Sequence, residues 1–293
     1  MTKNIYAVAG VSGHTGSVAA DTLLSQGHTV RVIVRDAAKG AAWQAKGAEV
    51  AIASLGDTAA VTRALTGVAG AYLLLPPDVT TATPIENNAK LSASLAQAIR
   101  ASKVPHVVLL SSVGAQHATG NGPIKALHQA EADFAATGTA LTAIRAAYFQ
   151  ENWGNSLGML AQGVLPTFVP STISYPQVAT ADIGRTIAGA LVEGGTPGKT
   201  QIIELAGPRD YTGTEVAAIL AKLTGKPVAV QDAPLDAVVP MFTSFGISAP
   251  VAALFREMYE GIASGRVAYE GGAARSVRGT VEVGETLAAL LPR

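Results

Sequence analysis

A chain of 293 residues with 21 basic and 21 acidic side chains has a formal net charge of zero, so it carries no broad electrostatic footprint for nucleic acid or an anionic membrane. It has no cysteine, which excludes disulfides, thiolate metal sites and a cysteine nucleophile. Hydrophobic residues make up 48% and charged residues only 14%, against about 25% in ordinary globular chains, which predicts a large core and a buried oligomer surface such as that of a homodimer.

The apolar run Ile5 to Ala9 predicts a buried parallel strand. Glycines follow at Gly10, Gly13 and Gly16, and Ser17 to Gln26 predicts a helix closed by Gly27. Strand, glycine turn and helix form the context of a dinucleotide-binding turn, here spaced GxxGxxG rather than GxGxxG. In that reading Gly10 makes the sharp turn, Gly13 leaves room for backbone to approach a pyrophosphate, and Gly16 lets helix and strand pack closely. The helix start, with Ser12, His14 and Thr15 around it, offers free N–H groups and a positive dipole end to phosphate. With 31 glycines in the chain, a plain strand-to-helix turn is the competing reading.

Thr29 to Val34 predicts a second strand that ends at Arg35-Asp36. In a dinucleotide fold this point meets the adenine ribose: an acid binds the 2′-hydroxyl of NAD, an arginine the 2′-phosphate of NADP. Arg35 comes first and Lys39 follows, so NADP(H) is expected, with Asp36 leaving NAD(H) as the alternative. A helix over 37–46, a strand over 49–53 and a helix over 58–65 capped by Asp57 come next. The strand 71–75 stops at Pro76-Pro77, which places Leu75 and Pro76 beside the cofactor. Pro84 opens a helix through Arg100, and strands are expected at 107–110, ending in Ser111-Ser112, and at 139–144.

Strands alternating with helices at this rhythm predict an α/β fold, a Rossmann-type doubly wound parallel sheet, over residues 1–150. Residues 151–293 are expected to form a smaller, mostly α substrate domain interleaved with the sheet edge. Its helices are read at 181–193, 214–223 and through much of 234–262, with a strand at 201–205. Met241, Phe242, Phe245, Leu254, Phe255, Met258 and Tyr259 are core residues that also qualify as walls of an apolar cleft for a small apolar or aromatic substrate. Met1-Thr2-Lys3-Asn4 runs straight into the first strand and no apolar run reaches about 18 residues, so a cytoplasmic location without a membrane partner is expected. The five histidines are scattered without ligand spacing, so no metal site is expected.

Several motifs resemble the NmrA-like group of atypical short-chain dehydrogenases/reductases, and within it the NAD(P)H-dependent quinone reductases and triphenylmethane-dye reductases. They are Gly10-Val11-Ser12-Gly13-His14-Thr15-Gly16, Val32-Ile33-Val34-Arg35, Leu109-Leu110-Ser111-Ser112, Gln129-Ala130-Glu131 and Ile144 to Trp153, with Ala181-Asp182-Ile183-Gly184 and Glu204-Leu205-Ala206-Gly207 matching in kind. The resemblance implies reduction of a quinone-like or other conjugated acceptor. It departs from ordinary members of the superfamily in the Tyr and Lys that activate hydroxyl substrates: counting from Glu131, their places fall at Pro123 and Leu127. Quinones and cationic dyes accept hydride without such a pair. Ser111, Tyr148 and Phe149 are the remaining cofactor candidates, and Tyr148, His128 and Lys125 the catalytic ones. Each has a competing structural role: a bonded strand-end hydroxyl, interdomain core, or a solvated helix position. The glycine-containing loop 113–123 suits a mobile lid. An NADP(H)-sensing regulatory protein without turnover is the alternative function, which the missing Tyr/Lys pair favours.

Overall fold

The computed structural model describes residues 4–291, so the Met1–Lys3 start lies outside the described residues. Six strands alternate with five helices in the first half: β1 (Ile5–Ala9), α1 (His14–Ser25), β2 (Thr29–Val34), α2 (Ala37–Ala45), β3 (Glu49–Ile52), α3 (Thr58–Leu65), β4 (Gly70–Leu73), α4 (Pro84–Ser102), β5 (His106–Ser112), α5 (Lys125–Ala135) and β6 (Ala140–Ala146). The second half contributes β7 (Tyr148–Phe149), β8 (Val164–Thr167), β9 (Tyr175–Val178), α6 (Thr180–Glu193), β10 (Thr200–Ala206), β11 (Asp210–Tyr211), α7 (Gly213–Thr224), β12 (Ala229–Asp232), α8 (Val238–Ser244), α9 (Ala249–Ala263), β13 (Arg275–Arg278) and α10 (Val283–Leu290).

The main sheet has eight strands in the order β13-β10-β6-β5-β4-β1-β2-β3, and every neighbouring pair is parallel. The order reverses at β1, between β4 and β2, which is where an open α/β sheet leaves a crevice at its carboxyl edge. Period-two alternation feeds two cores: Tyr6 and Val8 of β1 pack with α1, α2 and α6 on one face, while Ala7 and Ala9 pack with α3, α4 and α5 on the other. Asp57 caps α3, its carboxylate accepting from the Ala60 N–H at 3.0 Å.

The sheet does not end with the first half of the chain. Strands β10 and β13 extend it past β6, and β13, Arg-Ser-Val-Arg, is polar because it is an edge. The second half is richer in strand than its helical reading. A three-stranded sheet β11-β9-β7 and the pair β12-β8 sit over a third core around Trp153, Tyr211 and Leu220. These strands are two to four residues long, too short for alternation to show in sequence.

Candidate cofactor and substrate site

Gly10 leaves β1 at φ +67°, and its carbonyl accepts from the Gly13 N–H at 2.9 Å, closing the turn. Helix α1 begins at His14, three residues earlier than its sequence suggests, so Gly16 lies inside the first turn. A Cβ on Gly16 would stand 2.5 Å from the carbonyl oxygens of Ala9 and Gly10, whereas one on Gly13 would meet nothing nearer than the Gly10 oxygen at 3.4 Å. No side chain caps α1 and no acid lies in its first turn, so its leading N–H groups face an exposed turn formed by Ser12, Gly13 and His14. This is the chemistry of an anion cradle. Thr15 offers this turn only its backbone, because its buried hydroxyl is bonded to the Tyr72 hydroxyl at 2.9 Å.

Arg35 and Asp36 follow β2 on the adenine side of the crevice, and their roles separate. The Asp36 carboxylate caps α2, accepting from the Lys39 N–H at 2.9 Å. Arg35 is exposed and, among the described residues, forms no ion pair. On the other side Leu75 is half-buried and Pro76 exposed just past β4. Successive strands are about 4.8 Å apart, so the three steps from β1 through β4 and β5 to β6 cover about 14 Å along one edge.

The structure takes Ser111 out of that edge. Ser111 is 2% exposed, and its hydroxyl donates to the Glu131 carboxylate. Glu131 holds Arg145 through two bonds, from Nε at 3.0 Å and Nη2 at 2.7 Å, and the Arg145 Nη1 reaches Glu270 at 2.6 Å. Burial disfavours the Arg145 charge, but the bonds and charges of Glu131 and Glu270 more than offset it. Ser111, Arg145 and Glu204 are in register across β5, β6 and β10, and Glu204 accepts the Glu270 and Gly271 N–H groups. Four of the motifs named above thus form one buried polar network that clamps the segment before β13.

The three catalytic candidates part company. The Lys125 ammonium is bonded to the Glu257 carboxylate of α9 at 3.0 Å. The His128 Nδ1 donates to the Ala115 carbonyl at 2.8 Å, tying α5 to the loop after β5. That loop, read from its glycines as a lid, is bonded down at several points in this conformation. Glu257 accepts from the Gly120 N–H, Asn121 donates to the Gly114 and His117 carbonyls, Gln116 donates to Ala268, and Arg266 donates to Thr119. Burial raises the Glu257 carboxyl, but Lys125 and the Gly120 and Gly122 amides outweigh it and hold the group below its ordinary value.

Tyr148 is the candidate the structure places at a cavity. Strand alternation splits β7: Phe149 packs into the main core beside α6, and Tyr148 faces the second half. With Ser112, Val113, Tyr175, Met258 and Ile262, Tyr148 lines a cavity at the carboxyl ends of β5 and β6. No charged side chain lines it among the described residues. It offers about 30 Å³, room for a water or two, where ligand pockets measure about 300 Å³ or more. Tyr175 packs edge-on against Tyr148 at 5.7 Å, and Tyr259 packs on the same core cluster. Burial, then the neighbouring phenols, push Tyr148 well above its ordinary value, so it is a neutral donor. The rest of its motif is structural. Gln150 bonds Thr286 and Val281, Glu151 caps α6 at Thr180, and the Trp153 indole donates to Gln177. Phe168 and Phe255 complete an aromatic stack with Phe242 and Tyr259 behind the cavity.

Sequence reasoning missed Ser112 and Tyr175 as cavity residues. Their one local signal is polarity beside apolar strand ends. Among the described residues no group of three His, Asp or Glu comes together to hold a metal, and no helix is long and apolar enough to cross a membrane.

An all-parallel sheet reversing at β1, with an uncapped glycine turn at the reversal, defines a Rossmann-type α/β protein. The chain belongs to the NmrA-like family, which matches residues 1–270. It is 26% identical over 260 residues to the NAD(P)H azoreductase of Xenophilus azovorans, covering 86% of this chain and 85% of that protein. It is 29% identical over 231 residues to quinone oxidoreductase 2 of Escherichia coli strain K12, covering 77% of each. Among solved structures, NADPH-dependent quinone oxidoreductase from Escherichia coli complexed with NADPH matches with a TM-score of 0.82 at 24% identity, over 97% of this chain and 99% of that one. Citrobacter sp. triphenylmethane reductase complexed with NADP(H) matches with a TM-score of 0.80 at 20% identity, over 98% of this chain and 100% of that one. At these identities the structural likeness concerns the fold alone.

Proposed function

We propose that this chain is an NADPH-dependent reductase of small quinone-like or other conjugated acceptors. One juxtaposition carries the reading: an open anion cradle after β1 and an apolar, phenol-walled cavity at the ends of β5 and β6 share one sheet edge. The names of the azoreductase and quinone-reductase relatives support it. Gly10 to Gly16 would hold the pyrophosphate through backbone N–H groups, and Arg35 the 2′-phosphate. Leu75 and Pro76 would border the nicotinamide half, with residues 151–293 walling the acceptor. The bound nucleotide supplies the hydride; the protein positions the acceptor and excludes water. The places of the usual Tyr and Lys hold Pro123 and Leu127 instead, which fits acceptors that need no such pair.

Purified protein mixed with NADPH and a panel of benzo- and naphthoquinones is expected to consume the nicotinamide absorbance. No turnover with any acceptor, together with tight NADPH binding, favours the sensor reading instead. Because Asp36 is committed to α2, cofactor choice rests on Arg35. Arg35→Ala is expected to weaken NADPH by about 1.5–3 kcal/mol while leaving NADH nearly unchanged, measured by calorimetry. Equal losses for both cofactors contradict the NADP assignment. A cytoplasmic location belongs to the same proposal.

A further inference from the structure

The proposed reductase leaves open where the reduced acceptor obtains its proton. Among the described residues no charged side chain lines the cavity, and the ionisable candidates are committed elsewhere: Lys125 to Glu257, the His128 Nδ1–H to the Ala115 carbonyl, and Arg145 to Glu131 and Glu270. Tyr148 remains, lining the cavity next to Ser112. Tyr259 packs on the same core cluster, and the Tyr259 hydroxyl and the Asn152 amide act electrostatically on the Tyr148 phenol. Tyr175, edge-on at 5.7 Å, fixes its ring. The Tyr259 ring is held in turn between Phe168 at 5.4 Å and Phe242 at 6.3 Å.

We propose that Tyr148 is the hydrogen-bond and proton donor to the acceptor, and that Tyr259 and Asn152 are its positioning residues, an uncharged substitute for a lysine. The inference rests on the reductase reading given above. The acceptor gains two electrons and one hydrogen from the reduced nucleotide, and one oxygen is left anionic. The Tyr148 O–H bond then breaks and its proton passes to that oxygen, completing the hydroquinone. The Tyr148 phenolate is stabilised by the Asn152 N–H and takes a proton back from Tyr259, which is resupplied from water. Both phenols lie in surroundings that disfavour the phenolate, so each stays protonated at neutral pH until a substrate anion forms. With no charged side chain lining it among the described residues, the cavity suits conjugated ring systems, and Tyr148 adds a hydrogen bond where the acceptor carries an oxygen. Met258, unbranched and flexible, is the wall residue best suited to give way as the cavity opens.

The test compares two acceptors. A quinone needs a proton when it is reduced; a cationic triarylmethane dye becomes a neutral product by gaining hydride alone. In Tyr148→Phe, kcat with 1,4-naphthoquinone is expected to fall at least 30-fold more than kcat with the dye, with the NADPH Kd unchanged. In Tyr259→Phe, which keeps the aromatic stack, kcat for the quinone is expected to fall about tenfold with KM within twofold, as general acid catalysis and its positioning allow. A second readout needs no turnover: 1,4-naphthoquinone binding to the NADP⁺-loaded protein, which cannot reduce it, should weaken at least fivefold in Tyr148→Phe. Equal losses for quinone and dye, or unchanged naphthoquinone binding, overturn the proposal. A wild-type protein that binds NADPH and naphthoquinone but reduces nothing overturns the reductase reading instead, and the binding comparison still decides whether Tyr148 contacts the ligand.

Discussion

Arg145→Met is expected to destabilise the fold by about 3–5 kcal/mol, because it strands a buried carboxylate. Glu131 is 9% exposed and Arg145 6% exposed, and Arg145 is bonded to Glu131 twice. Without the guanidinium, Glu131 keeps only the Ser111 hydroxyl, while Glu270, half exposed, turns to water. The effect reaches beyond one pair, because Arg145 lies in register with Ser111 and Glu204 and joins α5 to the segment leading into β13. Urea unfolding should show the loss as a lower midpoint. The double variant Arg145→Met/Glu131→Leu should recover most of it, since removing both charges together removes the desolvation problem. A loss below about 1 kcal/mol in the single variant would show that the network is wetter than its burial indicates.

The second large effect comes from one substitution made at two glycines three residues apart. In Gly16→Ala the new methyl group meets the Ala9 and Gly10 oxygens at 2.5 Å, so α1 must lift from the end of β1. A cost of about 1–3 kcal/mol is expected, and NADPH binding should fail along with stability. Gly13→Ala meets only the Gly10 oxygen at 3.4 Å, and its φ of −106° suits alanine. This variant should fold like the wild type, yet its methyl group occupies the approach to the α1 amides. NADPH affinity is expected to drop at least tenfold, about 1.4 kcal/mol. Thermal unfolding and calorimetry on both variants separate the outcomes. Full NADPH affinity in Gly13→Ala would remove the phosphate-cradle assignment while leaving the fold untouched.

The strands β1 to β6 were legible because their causes are local: apolar runs of four to seven residues, bounded by glycine, proline or a capping aspartate. Asp57 and Pro84 mark helix starts by chemistry that acts within three residues. The glycine turn was legible for the same reason, except that the first turn of α1 hides among its glycines. Ser111 shows the limit. Its place at the end of β5 was readable, but its hydroxyl is taken by Glu131 from a helix twenty residues on. Arg35 and Asp36 are neighbours in sequence; the order favoured Arg35 but left Asp36 as the alternative, and the cap of α2 is what commits Asp36 elsewhere. The loop after β5 reads as mobile from its glycines, yet side chains from α9 and the segment beyond it fasten it.

By itself the sequence determined the doubly wound sheet, the position of the glycine turn and the cation ending β2, because backbone preference, periodicity and capping act over a few residues. Tertiary structure alone decided that β10 and β13 complete the sheet, that Arg145 serves the fold, and that Tyr148, Tyr175 and Met258 wall one cavity. Those outcomes depend on which distant groups share a buried space, where a charge or hydroxyl must find a partner. Chain order does not encode that choice in any short stretch.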